Sequence, residues 1–500
     1  MRNRCGAFGW GAAIALVISC AGPLFESTPL NAQQPAPKTG SEISGGQAAL
    51  ALQDQLVDAI ARGEKSVVAI YRVDSDDSSL PRTVEIVPGQ ERFVRSSAAS
   101  PPPGDPDFIP DEYGTGVVID RHGLILTCYH VLGLKSQHYV ATSERKVYPA
   151  RIKAADPRSD LAVLQIEASD LIPATFGTAE TLKKGQIVVA LGNPYAIARD
   201  GQASASWGII ANLARKAGPP LDTSKLYHYG TLIQTDAKLN LGTSGGLLVN
   251  LKGEMVGMTT SLAATPGYEQ AAGYAVPVDE TFRRVVNTLK DGREVEYGFL
   301  GVNPANLSKL EILQGAHGAR IMGIETGSPA ELSNLKPGDI VTHIDGRSIF
   351  DADELVLDVG RMPVESHVEL TVLRDDVTRK IPVELAKFPV RGVKVVTKPA
   401  PSWRGMRIDY GTALPRDSDR IAPAIPDPGG SVVVVEVEKD TPAAPAGLQN
   451  GMFINQVGNT PVRTPKEFYG AVAGKTGEVS LRLSTMIGQP DIRTVKPPSE

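Results

Sequence analysis

The chain has three cysteines in 500 residues, and two of them, Cys5 and Cys20, lie in its N-terminal segment. Only Cys128 belongs to the body. No intramolecular disulfide is open to it, and its stability has to come from packed cores. Aromatic residues make up only 5 % of the chain. Charge of neither sign dominates: 51 Lys and Arg stand against 56 Asp and Glu, a formal net charge of −5. That balance lacks the basic footprint of a nucleic-acid partner. Beyond the N-terminus no apolar run is long enough to span a bilayer. There is no Cys/His cluster at metal-ligand spacing, no phosphate-cradling glycine loop and no basic-aromatic patch, so neither cofactor nor metal is expected.

What the chain does have is 50 glycines and 38 prolines, a composition of many turns and short strands, and a length suited to about three domains. Residues 1–32 read as a targeting signal, with Arg2 and Arg4 ahead of a mostly apolar stretch from Ala7 to Ser19. Three readings stay open. One is cleavage after Leu30-Asn31-Ala32. Another is a lipoprotein signal ending at Ser19, with Cys20 lipidated. The third is an uncleaved anchor. All three put the body outside the cytoplasm, with a membrane involved only through such an N-terminal lipid or anchor.

Residues 33–46 are rich in Gln, Pro, Gly and Ser and are expected to be disordered. Leu50, Leu52, Leu56, Val57 and Ile60 recur at helical spacing, which predicts a helix over 47–63. Ser66–Val73 reads as a strand, and the polar stretch 74–112 as a long insertion, either functional or disordered. Short strands then follow one another to Val278, namely 114–120, 123–127, 147–155, 161–166, 187–191, 206–211, 232–235, 247–249, 255–261 and 273–277. That many short strands without intervening helices argue for barrels or sandwiches. Asp279 caps a helix whose Phe282, Val285, Val286 and Leu289 share one face.

An internal repeat follows. Residues 327–346 parallel residues 440–459, with a β-rich segment after each, 368–373 and 479–483. Two small α+β units are therefore expected in tandem, 296–388 and 404–487, joined by a Pro/Lys/Arg-rich linker at 389–403 and followed by a loose tail at 488–500.

One loop carries the strongest chemical signal. Gly242-Thr243-Ser244-Gly245-Gly246 holds a serine among three glycines, between apolar runs that read as strands. Glycine permits φ > 0 and close approach, so the serine can stand clear while backbone N–H groups converge. A nucleophile and donors aimed at a developing oxyanion are what acyl transfer needs. His130 follows a buried-looking strand, and Asp160 stands immediately before Leu161-Ala162-Val163-Leu164. A neutral imidazole is the natural base for a serine hydroxyl, and a buried carboxylate fixes its tautomer. The order His, Asp, Ser is that of the chymotrypsin fold rather than of subtilisin or the α/β-hydrolases. His130, Asp160 and Ser244 are thus the candidate catalytic residues, and the N–H groups of Gly242 and Ser244 the candidate oxyanion hole.

Gly114-Thr115-Gly116-Val117-Val118-Ile119, Thr127-Cys128-Tyr129-His130-Val131, Asp160–Leu164, Ala190-Leu191-Gly192-Asn193-Pro194-Tyr195, Gln234-Thr235-Asp236-Ala237, Gly242–Gly246 and Gly273-Tyr274-Ala275-Val276-Pro277 come in one order along the chain. On these motifs the sequence resembles the HtrA/Deg family of trypsin-like serine proteases over about 47–487. The resemblance implies an all-β, chymotrypsin-like double β-barrel protease domain at 47–292, followed by two small α+β PDZ domains. It also implies ATP-independent proteolysis of unfolded or damaged envelope proteins, and a trimer or larger homo-oligomer. Leu239, Thr260, Ser261 and Leu262 would line a pocket for small or medium aliphatic side chains. Lys238 would point out of that pocket, since burying an unpaired ammonium is costly; pointing in, it would favour acidic side chains. Phe299, Leu300, Gly301 and Val302 resemble the loop that cups a C-terminal carboxylate in an HtrA-type PDZ domain, with Leu355 and Val359 receiving the last side chain. Trp403–Ile408 is a poorer match to that loop, as if the second unit served assembly. The sequence departs from the family at Thr243, Leu247 and Cys128, where Asn, Pro, and Asn or Ala are usual. Cys128 reads as a buried filler, with a redox-sensitive thiol as the sharper alternative. The competing functional class is a catalytically weak or inactive PDZ-containing chaperone or scaffold, which would need none of His130, Asp160 and Ser244.

Overall fold

Helix α1 (Gly45–Gly63) leads into a short 3-10 turn and the first strand. The computed structural model describes residues 45–74, 82–87, 90–95, 112–133, 136–193, 202–216, 230–260, 273–414, 429–484 and 491–498. The chain parts into two units, Met1–Leu50 and Ala51–Glu500, and of the first only the opening of α1 is described. The helix seats Leu56, Ala59, Ile60 and Gly63 inward. A Cβ on Gly63 would come within 2.6 Å of Leu191 Cδ1. Leu50 and Val57, expected on the apolar face, are exposed at 61 % and 56 %. The 52/56/59/60/63 stripe lies inward instead, because small Ala59 and Gly63 allow the close approach.

Fourteen strands are described from Val67 to Pro277, and all but the second and third build two barrels. In chain order the strands are β1 (Val67–Asp74), β2 (Arg82–Val87), β3 (Gln90–Arg95), β4 (Glu112–Val118), β5 (Leu124–Cys128), β6 (Ser136–Ala141), β7 (Val147–Asp156), β8 (Leu161–Ile166), β9 (Ile187–Gly192), β10 (Ser204–Lys216), β11 (Thr231–Thr235), β12 (Leu247–Val249), β13 (Met255–Thr260) and β14 (Gly273–Pro277). The sheet β7-β6-β1-β4-β5-β8 returns on itself through β7–β8 pairing, and β10-β11-β14-β13-β12-β9 forms a second closed barrel. Closure removes the sheet edges that would otherwise invite pairing with other chains. Among the described residues β2 and β3 pair only with each other, so the insertion at 74–112 carries an antiparallel hairpin at 82–95. The sequence reading also missed β6, whose Ser136-Gln137-His138-Tyr139 opening carries no apolar alternation.

Helix α2 (Glu280–Lys290) closes this part of the chain, capped by Asp279, whose side chain accepts from Phe282 N. Phe282, Val285, Val286 and Leu289 are all buried, and α2 lies against β7 and β8. β8 is therefore covered on both faces, which explains why it reads as a continuous apolar run. Each such side chain, fully buried, contributes about 1.5–3 kcal/mol.

The repeat becomes two sheets of the same design. The first uses β15 (Gly298–Phe299), β16 (Val302–Asn306), β17 (Ala319–Ile324), β18 (Ile340–Ile344), β19 (Arg347–Ser348), β20 (His367–Arg374), β21 (Val377–Glu384) and β22 (Ala386–Lys387), with helices α3 (Lys309–Leu313), α4 (Pro329–Leu332) and α5 (Ala352–Arg361). Its strand order is β16-β17-β18-β20-β21. After β23 (Val395–Val396), the second uses β24 (Met406–Tyr410), β25 (Val432–Val437), β26 (Phe453–Val457), β27 (Thr460–Pro461), β28 (Val479–Ser484) and β29 (Asp491–Val495), with α6 (Pro465–Val472), in the order β24-β25-β26-β28-β29.

Two expectations are corrected here. The segment 389–403 is not a bare linker: β23 pairs with β7, Val395 opposite Ala155 and Val396 opposite Ala154, adding a strand to the first barrel sheet. The tail at 488–500 is not loose where it is described. Asp491–Val495 pairs with β28 and buries Val495, because β28 would otherwise leave an unpaired edge.

Candidate active site

His130 sits in the 3-10 turn Tyr129–Val131 that ends β5, and Asp160 stands directly before β8. β5 and β8 pair along their length, with Cys128 opposite Leu161. The sheet thereby brings together two residues 30 positions apart. Three kinds of bond join Asp160 to the turn that carries His130. Tyr129 N–H donates to Asp160 O at 2.8 Å, and His130 N–H donates to Asp160 Oδ1 at 3.0 Å. The ring Nδ1 lies 2.8 Å from Oδ2 and 3.0 Å from Oδ1. An ionised carboxylate only accepts, so Nδ1 carries the proton and Nε2 is left as the basic nitrogen.

Asp160 is fully buried and adopts φ +56°, a conformation that Asp tolerates better than most residues. Its turn is anchored from below. Asp156 Oδ2 accepts from Ser159 N at 2.8 Å, from Ser159 Oγ at 2.6 Å, and from the Tyr297 hydroxyl. The Arg158 guanidinium stacks 3.4 Å from the centre of the Phe388 ring. The His130 ring is 31 % exposed. Burial pushes its pKa down, but the charge of Asp160 and the hydrogen bond to it outweigh that, with Glu112 adding to them. The net shift is upward from 6.5.

Ser244 is half-buried in the loop before β12, on the second barrel. Its carbonyl accepts from Thr115 N of β4 at 2.9 Å, which ties it to the first barrel. The residues beside it touch the residues beside His130. Gly245 N–H and Cys128 Sγ both approach Thr259 O, at 2.8 and 3.7 Å. A Cβ on Gly245, at φ +87°, would fall 2.1 Å from Thr115 O and 2.6 Å from Thr127 Oγ1. Gly242 has φ +92°, and a Cβ there would meet Asn193 O at 2.6 Å and the Tyr113 ring at 2.9 Å. The glycines of this loop are therefore demanded by close approach as well as by backbone conformation.

A cavity of about 220 Å³ opens beside the loop. Ala190, Ala205, Leu239, Thr243 and Thr259 are among its walls, and exposed Lys238 stands on its lining. Of the residues expected at a specificity pocket, Leu239 lines this cavity. Thr260 does not line this cavity. It is buried beside Cys128 and lends the thiol a hydrogen bond, because successive residues of β13 face opposite ways and Thr259 takes the cavity side. Ser261 and Leu262 lie outside the described residues. Cys128 is fully buried, and burial together with the charge of Asp160 holds its thiol well above the ordinary range. Donor atoms of Cys128, His130 and Asp160 fall within 4.8 Å of one another. Both Asp160 oxygens already serve His130, which accounts for the cluster without a metal.

At the first small sheet, Phe299 pairs with Ala386, and Leu300 is buried with its carbonyl accepting from Ala330 N at 2.9 Å. Gly301, at φ +79°, leaves no room for a Cβ, which would fall 2.1 Å from Ser328 Cβ. Val302 opens β16, the outer strand of its sheet, and α5 lies against β15 and β16 with Leu355 and Val359 buried. In the second sheet the corresponding strand is covered by its own chain. The Tyr469 hydroxyl donates to Pro401 O at 2.6 Å and accepts from Ile408 N at 3.3 Å, and Arg407 Nε donates to Ala400 O at 3.0 Å. Trp403 packs edge-on against Phe468 at 5.9 Å. Nothing in the sequence reading singled out Tyr469, nor the roles of Thr115 and Thr259. A threonine in a strand carries no signal beyond its preference for strands.

The trypsin-like peptidase domain family matches residues 114–258, and the PDZ domain family matches residues 298–385. A probable periplasmic serine endoprotease DegP-like of Pseudomonas fluorescens is 30 % identical over 417 residues, covering 82 % of this chain and 85 % of the relative. A protein of the same description from Marinomonas sp. is 32 % identical over 359 residues, covering 71 % of this chain and 72 % of its own. Among solved structures, the HtrA-type protease AlgW with decapeptide aligns at a TM-score of 0.50 and 26 % identity, over 67 % of this chain and 99 % of the other.

Proposed function

Because the chain belongs to the family of DegP-like serine endoproteases, we propose that His130, Asp160 and Ser244 are the groups through which this serine endopeptidase cleaves peptide bonds. His130 Nε2 takes the Ser244 Oγ proton as Oγ attacks the scissile carbonyl. Asp160 holds the imidazole in the Nδ1–H form and stabilises the imidazolium that results. N–H groups of Gly242 and Ser244 bind the oxyanion. His130 then returns the proton to the leaving amine, and water repeats the sequence on the acyl-enzyme. The observation that carries this reading is the clasp of Asp160 on both the ring and the backbone N–H of His130, made by a carboxylate with no exposed surface.

The cavity walls of Ala190, Ala205 and Leu239 suit small or medium aliphatic side chains. Leu300, Val302, Leu355 and Val359 between β16 and α5 suit the last residue of a substrate C-terminus, which would add as a strand to the open edge of β16. The second sheet shares the strand order of the first and is the second PDZ domain of this reading. With its edge strand covered by Pro401 and Tyr469, it serves assembly rather than capture. Export to the periplasm, unfolded or damaged envelope proteins as substrates, and homo-oligomeric assembly complete the proposal.

The test is digestion of casein by the wild type and by Ser244→Ala, with the cleavage sites mapped. Loss of digestion in the variant, with cuts after Val, Ala or similar residues, is expected. Persistent digestion by Ser244→Ala would sink Ser244 as the nucleophile, and none by wild type at any temperature would sink the enzyme reading in favour of a chaperone or scaffold. Cuts mainly after Asp or Glu would instead put Lys238 inside the pocket.

A further inference from the structure

The loop that carries Ser244 has three successive peptide units, each held by its carbonyl. Gly242 O accepts from the Thr115 hydroxyl at 2.6 Å. Thr243 O accepts from the Thr259 hydroxyl at 2.6 Å and from Gly246 N at 3.0 Å. Ser244 O accepts from Thr115 N at 2.9 Å. Thr115 and Thr259 are 0 % and 1 % exposed, and they come from opposite barrels, on β4 and β13. The Thr115 hydroxyl is used from both sides, since it also accepts from Asn193 N at 2.9 Å.

A trans peptide points its N–H opposite to its C=O. The outer two units obey this visibly. Thr243 N–H runs to Asn240 O at 3.1 Å, and Gly245 N–H to Thr259 O at 2.8 Å, each away from the carbonyl it is paired with. In the middle unit the Thr243 carbonyl is drawn inward by Thr259, so the Ser244 N–H is turned to the opposite side. That N–H is one of the two donors assigned above to the oxyanion. Rotating the middle peptide would break the bonds from Thr259 and Gly246 together.

We propose that Thr115 and Thr259, one buried hydroxyl from each barrel, are positioning residues that hold the Ser244 loop with its oxyanion donor turned outward in the resting enzyme. The proposal rests on the protease reading of Ser244. It makes the Ser244 donor preformed, while the Gly242 N–H belongs to the preceding peptide unit, which these bonds do not hold.

The test uses Thr259→Val and Thr115→Val, which keep the branched shape and remove the hydroxyl, alongside Thr259→Ser and Thr115→Ser, which keep the hydroxyl. Hydrolysis of a fluorogenic peptide is measured on the full chain, together with the rate of Ser244 labelling by a fluorophosphonate, whose adduct also places an oxygen in the hole. A displaced donor costs less than a deleted one, so kcat is expected to fall about 10- to 100-fold in the Val variants. KM should be unchanged, the labelling rate should fall with kcat, and the Ser variants should return to the wild-type range. Thermal melts report whether each variant folds, and Thr259→Val decides alone if Thr115→Val does not. Unchanged kcat in a folded Val variant, a change confined to KM, or failure of the Ser variants to rescue overturns the clamp. A wild type with no peptidase activity, or an active Ser244→Ala, overturns the premise as well, and so is told apart from failure of the clamp alone.

Discussion

Asp160→Asn is the substitution that asks most of the proposed site while disturbing the fold least. Asparagine matches aspartate in size and tolerates the φ of +56° found at this position. Its Oδ1 can still accept the His130 backbone N–H that Asp160 accepts at 3.0 Å. What changes is the 2.8 Å contact with Nδ1. An amide NH₂ there donates where the carboxylate accepted, so the imidazole is driven to the tautomer with its proton on Nε2. That nitrogen can no longer take the Ser244 proton. A wrong-tautomer base in a triad of this kind costs about 10⁴ in kcat, or about 5.4 kcal/mol of barrier. The assay is a fluorogenic peptide followed from pH 5 to pH 9, with thermal melting as the control for folding. In the wild type the base works only when neutral. Activity should therefore rise with pH through a midpoint above 6.5, where the charge and hydrogen bond of Asp160 have lifted the His130 pKa against its burial. The stability contributed by charged His130 facing Asp160 has the matching sign: it is fully present below the unfolded pKa and is lost as pH rises through the raised one. In Asp160→Asn burial, the largest effect, is opposed only by the charge of Glu112, the smallest, and the midpoint of any residual activity should move below 6.5. A folded variant that keeps more than about a tenth of wild-type kcat, or whose midpoint stays put, would refute the assignment of Asp160 as the orienting carboxylate.

Gly245→Ala should be damaging out of proportion to its size. The new Cβ falls 2.1 Å from Thr115 O at a backbone φ of +87°, so the loop has to move. A loss of about 1–3 kcal/mol in a denaturant melt is expected, with peptidase activity lost in the fraction that folds; a fully active variant would mean that the loop does not sit as described. Lys387→Met tests the junction of the two small sheets. The Lys387 side chain is 3 % exposed, and its ammonium lies 2.7 Å from Asp409, 3.0 Å from Glu294 and 3.2 Å from Glu296. Removing it takes the ammonium from Asp409 and Glu296 and leaves Glu294 with Lys394 alone, at a cost of about 3–5 kcal/mol. The expected readout is a lowered thermal midpoint with unchanged kcat on a short peptide.

Much of this was legible one segment at a time. Leu161–Ile166, Leu247–Val249 and Gly273–Pro277 are strands at the residues where their apolar runs stand, and Asp279 caps α2 as its position before Phe282 implies. β6 was missed because its opening residues do not alternate. The Leu50 and Val57 positions were misjudged because helical spacing alone does not say which of two overlapping stripes packs inward. The strand at Asp491–Val495 is too polar to declare itself, and it forms because β28 offers an edge. Thr260 was assigned to the pocket from its neighbourhood in the sequence, and the pleat of β13 turned it the other way.

The sequence by itself determined the kind of reaction. His130, Asp160, Ser244 and the glycines around Ser244 are recognisable because each chemistry demands a particular residue type, and glycine at φ > 0 has few substitutes. Only the tertiary structure decided how the loop is held. The hydroxyl of Thr115 reaches Gly242 across 127 residues of chain, Asn193 N reaches Thr115 across 78, and β23 finds β7 only after β8, the whole second barrel and a further sheet have intervened in sequence. A hydrogen bond of that kind costs its donor residue no special pattern. It exists because closed barrels set two buried threonines face to face with three carbonyls, and no local spacing records that.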